Sequence, residues 1–123
     1  MIDYKIVVQH ILPKDLLDYF EVKSMTEIHG KQADSSHYII VLEENNILPN
    51  GYSEVDYESK GFYKPRLIQD FPLRGKAVYL EIHRRRWFHK QEKIYIHRDF
   101  TLIAEGTKFT KELSDFLKQT YRE

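Results

Sequence analysis

Apolar residues along this chain change period twice, and each change marks a different kind of element. Val78, Leu80 and Ile82 alternate with Tyr79, Glu81 and His83, the period of two expected of a strand with one covered face. Just upstream, Pro72 and Gly75 bracket Leu73 and Arg74. A proline with fixed φ beside a glycine that tolerates positive φ suits a tight reversal. Leu67 to Trp87 therefore predicts two antiparallel arms, the second running into Arg84, Arg85 and Arg86. Past a polar turn at Phe88 to Glu92, Ile94 and Ile96 alternate with Tyr95 and His97. Lys93 to Asp99 is the expected partner of Val78 to Trp87, which would carry Arg98 toward the other arginines. Thr101 to Ala104 is expected to continue that strand past a bend.

Helical spacing appears at both ends. Phe109, Leu113, Phe116, Leu117 and Tyr121 fall on one helical face, Thr107 or Thr110 can cap its start, and Gly106 precedes it. Pro13, Asp15 and the stripe Leu16, Leu17 and Phe20 predict a short helix over Pro13 to Phe20. Met1 to Gln9 alternates weakly and reads as a short strand or arm. Val22 to His29 and His37 to Leu42 read as strands of a hairpin around the turn-like GKQADSS. Glu43 to Lys64 shows no sustained period and reads as a long surface loop. The architecture these elements predict is α+β: an antiparallel sheet of about four to six strands, a short N-terminal helix and a C-terminal amphipathic helix across the sheet. One domain over residues 1–123 is expected, with an acidic hairpin half at about 1–63 and a basic, ribbon-like half plus helix at about 64–123.

Charge sharpens that division. The formal net charge is zero, yet residues 64–100 hold ten basic side chains against four acidic, a surplus of six, and the rest of the chain carries the opposite surplus. Local fields, not totals, steer a polyanion. Cysteine is absent, which removes disulfides, thiolate chemistry and sulfur-ligated zinc. No apolar run approaches a membrane span and no secretory leader is evident, so a cytoplasmic protein with no membrane partner is expected.

Arg84, Arg85, Arg86 and Trp87 offer guanidinium forks for phosphate oxygens beside an aromatic face, with Arg74, Lys76 and Arg98 as further phosphate contacts. The plainer reading is a solvated edge strand guarded by charge, with one arginine bridging to an acid such as Asp70 or Asp99. His10, His29, His37, His83, His89 and His97 form no HxxxH or HExxH pair, so neither metal nor cofactor is expected. No nucleophile elbow, phosphate loop or dinucleotide fingerprint occurs, and an enzyme is not expected.

IQDFPLRGKAVYLEIHRRRW at Ile68 to Trp87, followed by Arg98-Asp99-Phe100 and by EGTKFT at Glu105 to Thr110, resembles the N-terminal region of bacterial insertion-sequence transposases of the Aon-type group. The PxxLLxYFEV segment at Pro13 to Val22 fits it too. More distantly the stretch is similar to the zinc-ribbon N-terminal region of related transposases, with the cysteines absent and His89 near one of their positions. His83 stands where a fourth arginine is usual, Phe100 where tryptophan is, and Glu105 where lysine is. The resemblance implies a DNA-binding module that recognises the element's terminal inverted repeats on double-stranded DNA. It also implies no catalysis of its own, the Asp-Asp-Glu domain lying elsewhere, and action as a homo-oligomer. The alternative is a protein-interaction module that docks to a separately encoded catalytic transposase subunit through the aromatic sheet face or the loop Glu43 to Lys64.

Overall fold

A computed structural model describes residues 4–32, 35–99 and 110–120. The chain is α+β, with seven strands in two sheets and three short helices. The first helix, α1, covers Tyr4–Ile11, where the sequence suggested a strand. Val8, Leu12 and Leu16 recur at every fourth position and all are buried, while Ile6 and Val7 stay exposed. That is the helical period, which the weak local alternation concealed. Helix α2, Lys14–Tyr19, begins as expected at Pro13, whose carbonyl accepts the amides of Leu16 and Leu17.

Strands β1 (Phe20–Ile28) and β2 (His37–Glu44) form the expected antiparallel hairpin. Pairing steps from Val22 to Ser24 against consecutive residues Leu42 and Val41, so Lys23 is the extra residue of a bulge. Strands β4 (Arg66–Leu73) and β5 (Lys76–His83) form the second expected hairpin. Its two-residue turn is Arg74–Gly75, with φ of 55° and 80°. Positive φ at both central residues matches the twist of the flanking strands, and glycine adopts it without strain.

The four strands assemble in the order β1-β2-β5-β4, and the central β2–β5 pair is parallel, an exception to the all-antiparallel expectation. Ile40, Leu42, Ile68, Val78, Leu80 and Ile82 join Phe20 and Val22 in one core, closed by Val8, Leu12 and Leu16 of the N-terminal helices. The C-terminal helix α3, Lys111–Thr120, docks instead on edge strand β4. There the Thr110 amide donates to the Gln69 carbonyl, and the Thr110 hydroxyl oxygen accepts the Leu113 amide as the expected cap. Leu113 is buried and Phe116 exposed. Residues 100–109 and 121, including the expected strand at 101–104 and the Phe109 and Tyr121 ends of the helical stripe, lie outside the described residues.

A second sheet, β3-β6-β7, accounts for two further differences. Strand β3 (Tyr57–Phe62) lies within the stretch expected to be a loop. It pairs with β6 (Arg85–His89), so the expected turn at Phe88 begins two residues later, at Lys90. Of the strand expected over Lys93 to Asp99, only β7 (Tyr95–Ile96) forms, and it pairs with Trp87 and Phe88 while β5 pairs with β2 and β4. No helix among the described residues is long and apolar enough to cross a membrane.

Candidate nucleic-acid interface

The three consecutive arginines stand where one strand passes from the first sheet to the second. Arg84 falls in the break between β5 and β6, with its carbonyl accepting the Tyr63 amide at 2.8 Å. Glu44, the last residue of β2, is 1% exposed and meets them there. Its Oε1 accepts the Arg85 main-chain N–H at 2.9 Å, and its own carbonyl accepts Arg85 Nε at 3.0 Å. Arg85 Nη1 continues to Ser59 Oγ at 2.6 Å, and the guanidinium lies over the Phe62 ring. Arg98 stacks on Tyr19 with its charged carbon 4.3 Å from the ring centroid. It donates from Nη2 to the Ile47 carbonyl and holds Nε 3.7 Å from Glu44 Oε2. Arg84 Nη2 donates to the Arg98 carbonyl at 2.7 Å.

Three of the expected phosphate contacts, Arg84, Arg85 and Arg98, therefore surround one buried carboxylate. Burial raises the Glu44 pKa above its usual value, opposed by the Arg85 amide and by the charges of Arg84, Arg98 and Arg85. The bridging acid is Glu44, a residue sequence reasoning had placed in a surface loop. No local signal marks it, because its burial depends on β5–β6 crossing over the end of β2. Trp87 is also interior, 1% exposed, and its indole N–H donates to Asn46 Oδ1 at 2.8 Å. It braces the second sheet; its rings are not offered to an external base.

Arg74 and Lys76 lie elsewhere. Both sit at the β4–β5 turn, separated from Arg84 by the eight residues of β5, about 26 Å at 3.3 Å per residue. Lys76 is paired with Glu27 at 2.8 Å, which lowers the Glu27 pKa and raises that of Lys76. Arg74 is exposed with no partner among the described residues.

Arg86 alone of the triplet turns outward, onto a face that its neighbours complete. Alternation along β6 puts Arg86 and Phe88 on one side and Arg85 and Trp87 on the other. Phe88 is opposite Glu58 on β3 and Tyr95 on β7. The Arg86 guanidinium lies 4.7 Å over the Tyr95 ring, and Lys60 Nζ lies 5.5 Å from the Phe88 centroid. The Phe88 and Tyr95 rings are tilted against each other at 4.9 Å. Arg86 Nε donates to the Lys60 carbonyl, which fixes the side chain while Nη1 and Nη2 keep no partner among the described residues. Lys60 also reaches Glu58 at 3.4 Å, an exposed pair worth little.

The outer face of the second sheet thus interleaves two cations with two rings, a composition that suits phosphate contact beside base or sugar stacking. Lys60, Phe88 and Tyr95 were missed from sequence. Phe88 could have been found by its spacing of two from Arg86, but Lys60 and Tyr95 join the face only through pairing. No family model, curated protein or solved structure matches this chain.

Proposed function

We propose that this protein is a DNA-binding module acting in the cytoplasm, and that its contact surface is the outer face of β3-β6-β7. The observation that carries the reading is the Lys60–Arg86–Phe88–Tyr95 lattice, in which Lys60 and Tyr95 are exposed and Arg86 and Phe88 half-buried. Arg86 is held by one main-chain bond and leaves its terminal nitrogens for an acceptor. Strands can present such a face to a duplex groove, with the cations contacting phosphate and thereby positioning the protein. The resemblance to transposase N-terminal regions supplies the DNA to try first, the terminal inverted repeats of an insertion element.

Fluorescence anisotropy with a labelled terminal-repeat duplex and a scrambled duplex, at two salt concentrations, tests the reading. Binding is expected to be tighter to the repeat and to weaken with salt, log K falling by about 0.9 per phosphate neutralised for each unit of log salt. Binding that does not change with salt would overturn it. A second reading, docking to a separate catalytic transposase subunit, is favoured by the exposed apolar side chains Leu67, Phe71 and Phe116, the two phenyl rings 5.6 Å apart. A complex with that subunit that persists in Arg86→Glu without DNA would support it.

A further inference from the structure

Behind the second sheet, on the side away from Arg86, is a half-open cleft of about 510 Å³. Its size is in the range of small-molecule sites. Trp87 is its buried floor, and Tyr52 and Tyr57 form two walls at 84° with centroids 5.2 Å apart. Tyr57 is itself held edge-on by His89 at 4.9 Å. Tyr52 is 44% exposed, so one aromatic wall is open to a ligand.

The polar lining has a definite sense. Asn46 Oδ1 is taken by the Trp87 indole N–H, which can only donate, so the amide is oriented and its NH₂ is the group left to bond. Ser59 Oγ accepts from Arg85 Nη1, which also can only donate, so the serine hydroxyl retains its proton for another acceptor. Burial raises the Tyr57 pKa, helped by Tyr52, Glu92 and Asp56, so its phenol stays protonated and can donate as well. Charge, by contrast, is nearly balanced. The lining holds Glu54 and Glu58 against Lys90, and Glu58 is also paired with Lys60. Aromatic walls, donor groups and little net charge select a flat, neutral ring with acceptors on its edge.

We propose that this cleft binds an unpaired nucleobase with keto oxygens, thymine or guanine, stacked against Tyr52 and hydrogen-bonded by Asn46 and Ser59. The base has two sources: a nucleotide in a single-stranded tail of the DNA bound under the reading above, long enough to pass around the edge of the sheet and on which that source rests, or a free nucleotide. Adenine presents an amino group where Asn46 and Ser59 also donate, and fits less well.

The test compares three labelled probes at one salt concentration: the blunt terminal-repeat duplex and the same duplex with a short single-stranded overhang of thymidines or of adenosines, long enough to reach past the edge of the sheet. Free thymidine 5′-monophosphate is titrated calorimetrically alongside. The thymidine overhang is expected to tighten binding roughly tenfold over the blunt duplex, in line with the stacking of one base, and the adenosine overhang to do so less. Tyr52→Ala should abolish that gain while leaving blunt-duplex binding unchanged, and Asn46→Asp should abolish the preference for thymidine. Binding of the free nucleotide without any gain from the overhang supports the base pocket and assigns its ligand to the free source. If the blunt duplex binds but neither overhang nor nucleotide adds anything, the cleft proposal is overturned. If no duplex binds, the DNA reading fails and the nucleotide titration alone decides the cleft.

Discussion

Arg85 and Arg86 are adjacent in sequence and opposite in role. Arg85 faces inward, and its main-chain N–H and guanidinium meet Glu44, Ser59 and the Phe62 ring between the two sheets. Arg86 faces outward over Tyr95, anchored by one bond to the Lys60 carbonyl. One step along a strand reverses the side-chain direction, so one arginine joins two sheets and the next lies on the outer face of the second. A run of positive charge is therefore not a measure of the charge available for binding. Here Glu44 takes up much of it.

Four substitutions separate these regions, and a fifth probes the edge strand of the first sheet. The largest effect is expected from Glu44→Ala, which leaves the Arg85 main-chain N–H without its acceptor and the charges of Arg84, Arg85 and Arg98 without the buried carboxylate between them; breaking a buried ionic cluster by removing one partner costs about 3–5 kcal/mol. Chemical denaturation would measure it, and a loss below about 1 kcal/mol would mean that the cluster behaves as exposed charge. Next come Arg85→Ala and Arg86→Ala as a pair. The first should lose about 2–4 kcal/mol of stability through its vacated hydrogen bonds and packing. The second should change stability by less than about 1 kcal/mol yet weaken duplex binding roughly fivefold to tenfold, as loss of one charged phosphate contact does. Equal stability losses in the two variants would erase the distinction between inner and outer arginines.

Lys60→Ala is expected to act more gently. It should reduce the salt dependence of duplex binding by about one phosphate contact and leave discrimination between repeat and scrambled duplex unchanged. A change in sequence preference would show that Lys60 reads bases.

The smallest effect concerns the edge strand where α3 docks. Asp70 is buried and accepts the Thr110 hydroxyl at 2.9 Å, and burial raises its pKa despite that bond and one from the Phe71 amide. The unfolded carboxyl ionises near its ordinary 3.8 and the folded one at higher pH. Between the two the folded state holds more protons, so stability falls as pH rises through that window and then levels off. Glu44 contributes in the same sense from its ordinary 4.5 upward. Asp70→Asn keeps an oxygen for Thr110 and removes the ionisation, so its stability curve should fall less steeply over this range and lie slightly higher at neutral pH, by less than about 1.5 kcal/mol. A curve parallel to that of the parent would mean Asp70 does not titrate in this window.

Much of the fold is written locally. The alternation of Val78, Leu80 and Ile82, the glycine that accepts φ of 80° at the β4–β5 turn, and the Thr110 cap with Leu113 three residues on all lie within a few residues of the structure they specify. Such signals are legible because the backbone period and the turn chemistry are properties of neighbouring residues. The N-terminal helix was hidden because Ile6 and Val7 are apolar yet exposed, which blurred the four-residue spacing of Val8, Leu12 and Leu16. Strand β3 was hidden because its alternation is weak and its partner lies about a quarter of the chain away.

By itself, then, the sequence determined the α+β class, both hairpins, the C-terminal helix and the concentration of positive charge in residues 64–100. Only the tertiary structure decided which of those charges remain available. Glu44 meets Arg85 across 41 residues of chain, and Tyr95 meets Arg86 only because β7 pairs with β6. The physical reason is that an ionic side chain's partner is set by proximity in space, and burial multiplies the cost of leaving it unpaired. Neither quantity is a function of the residues beside it in the chain.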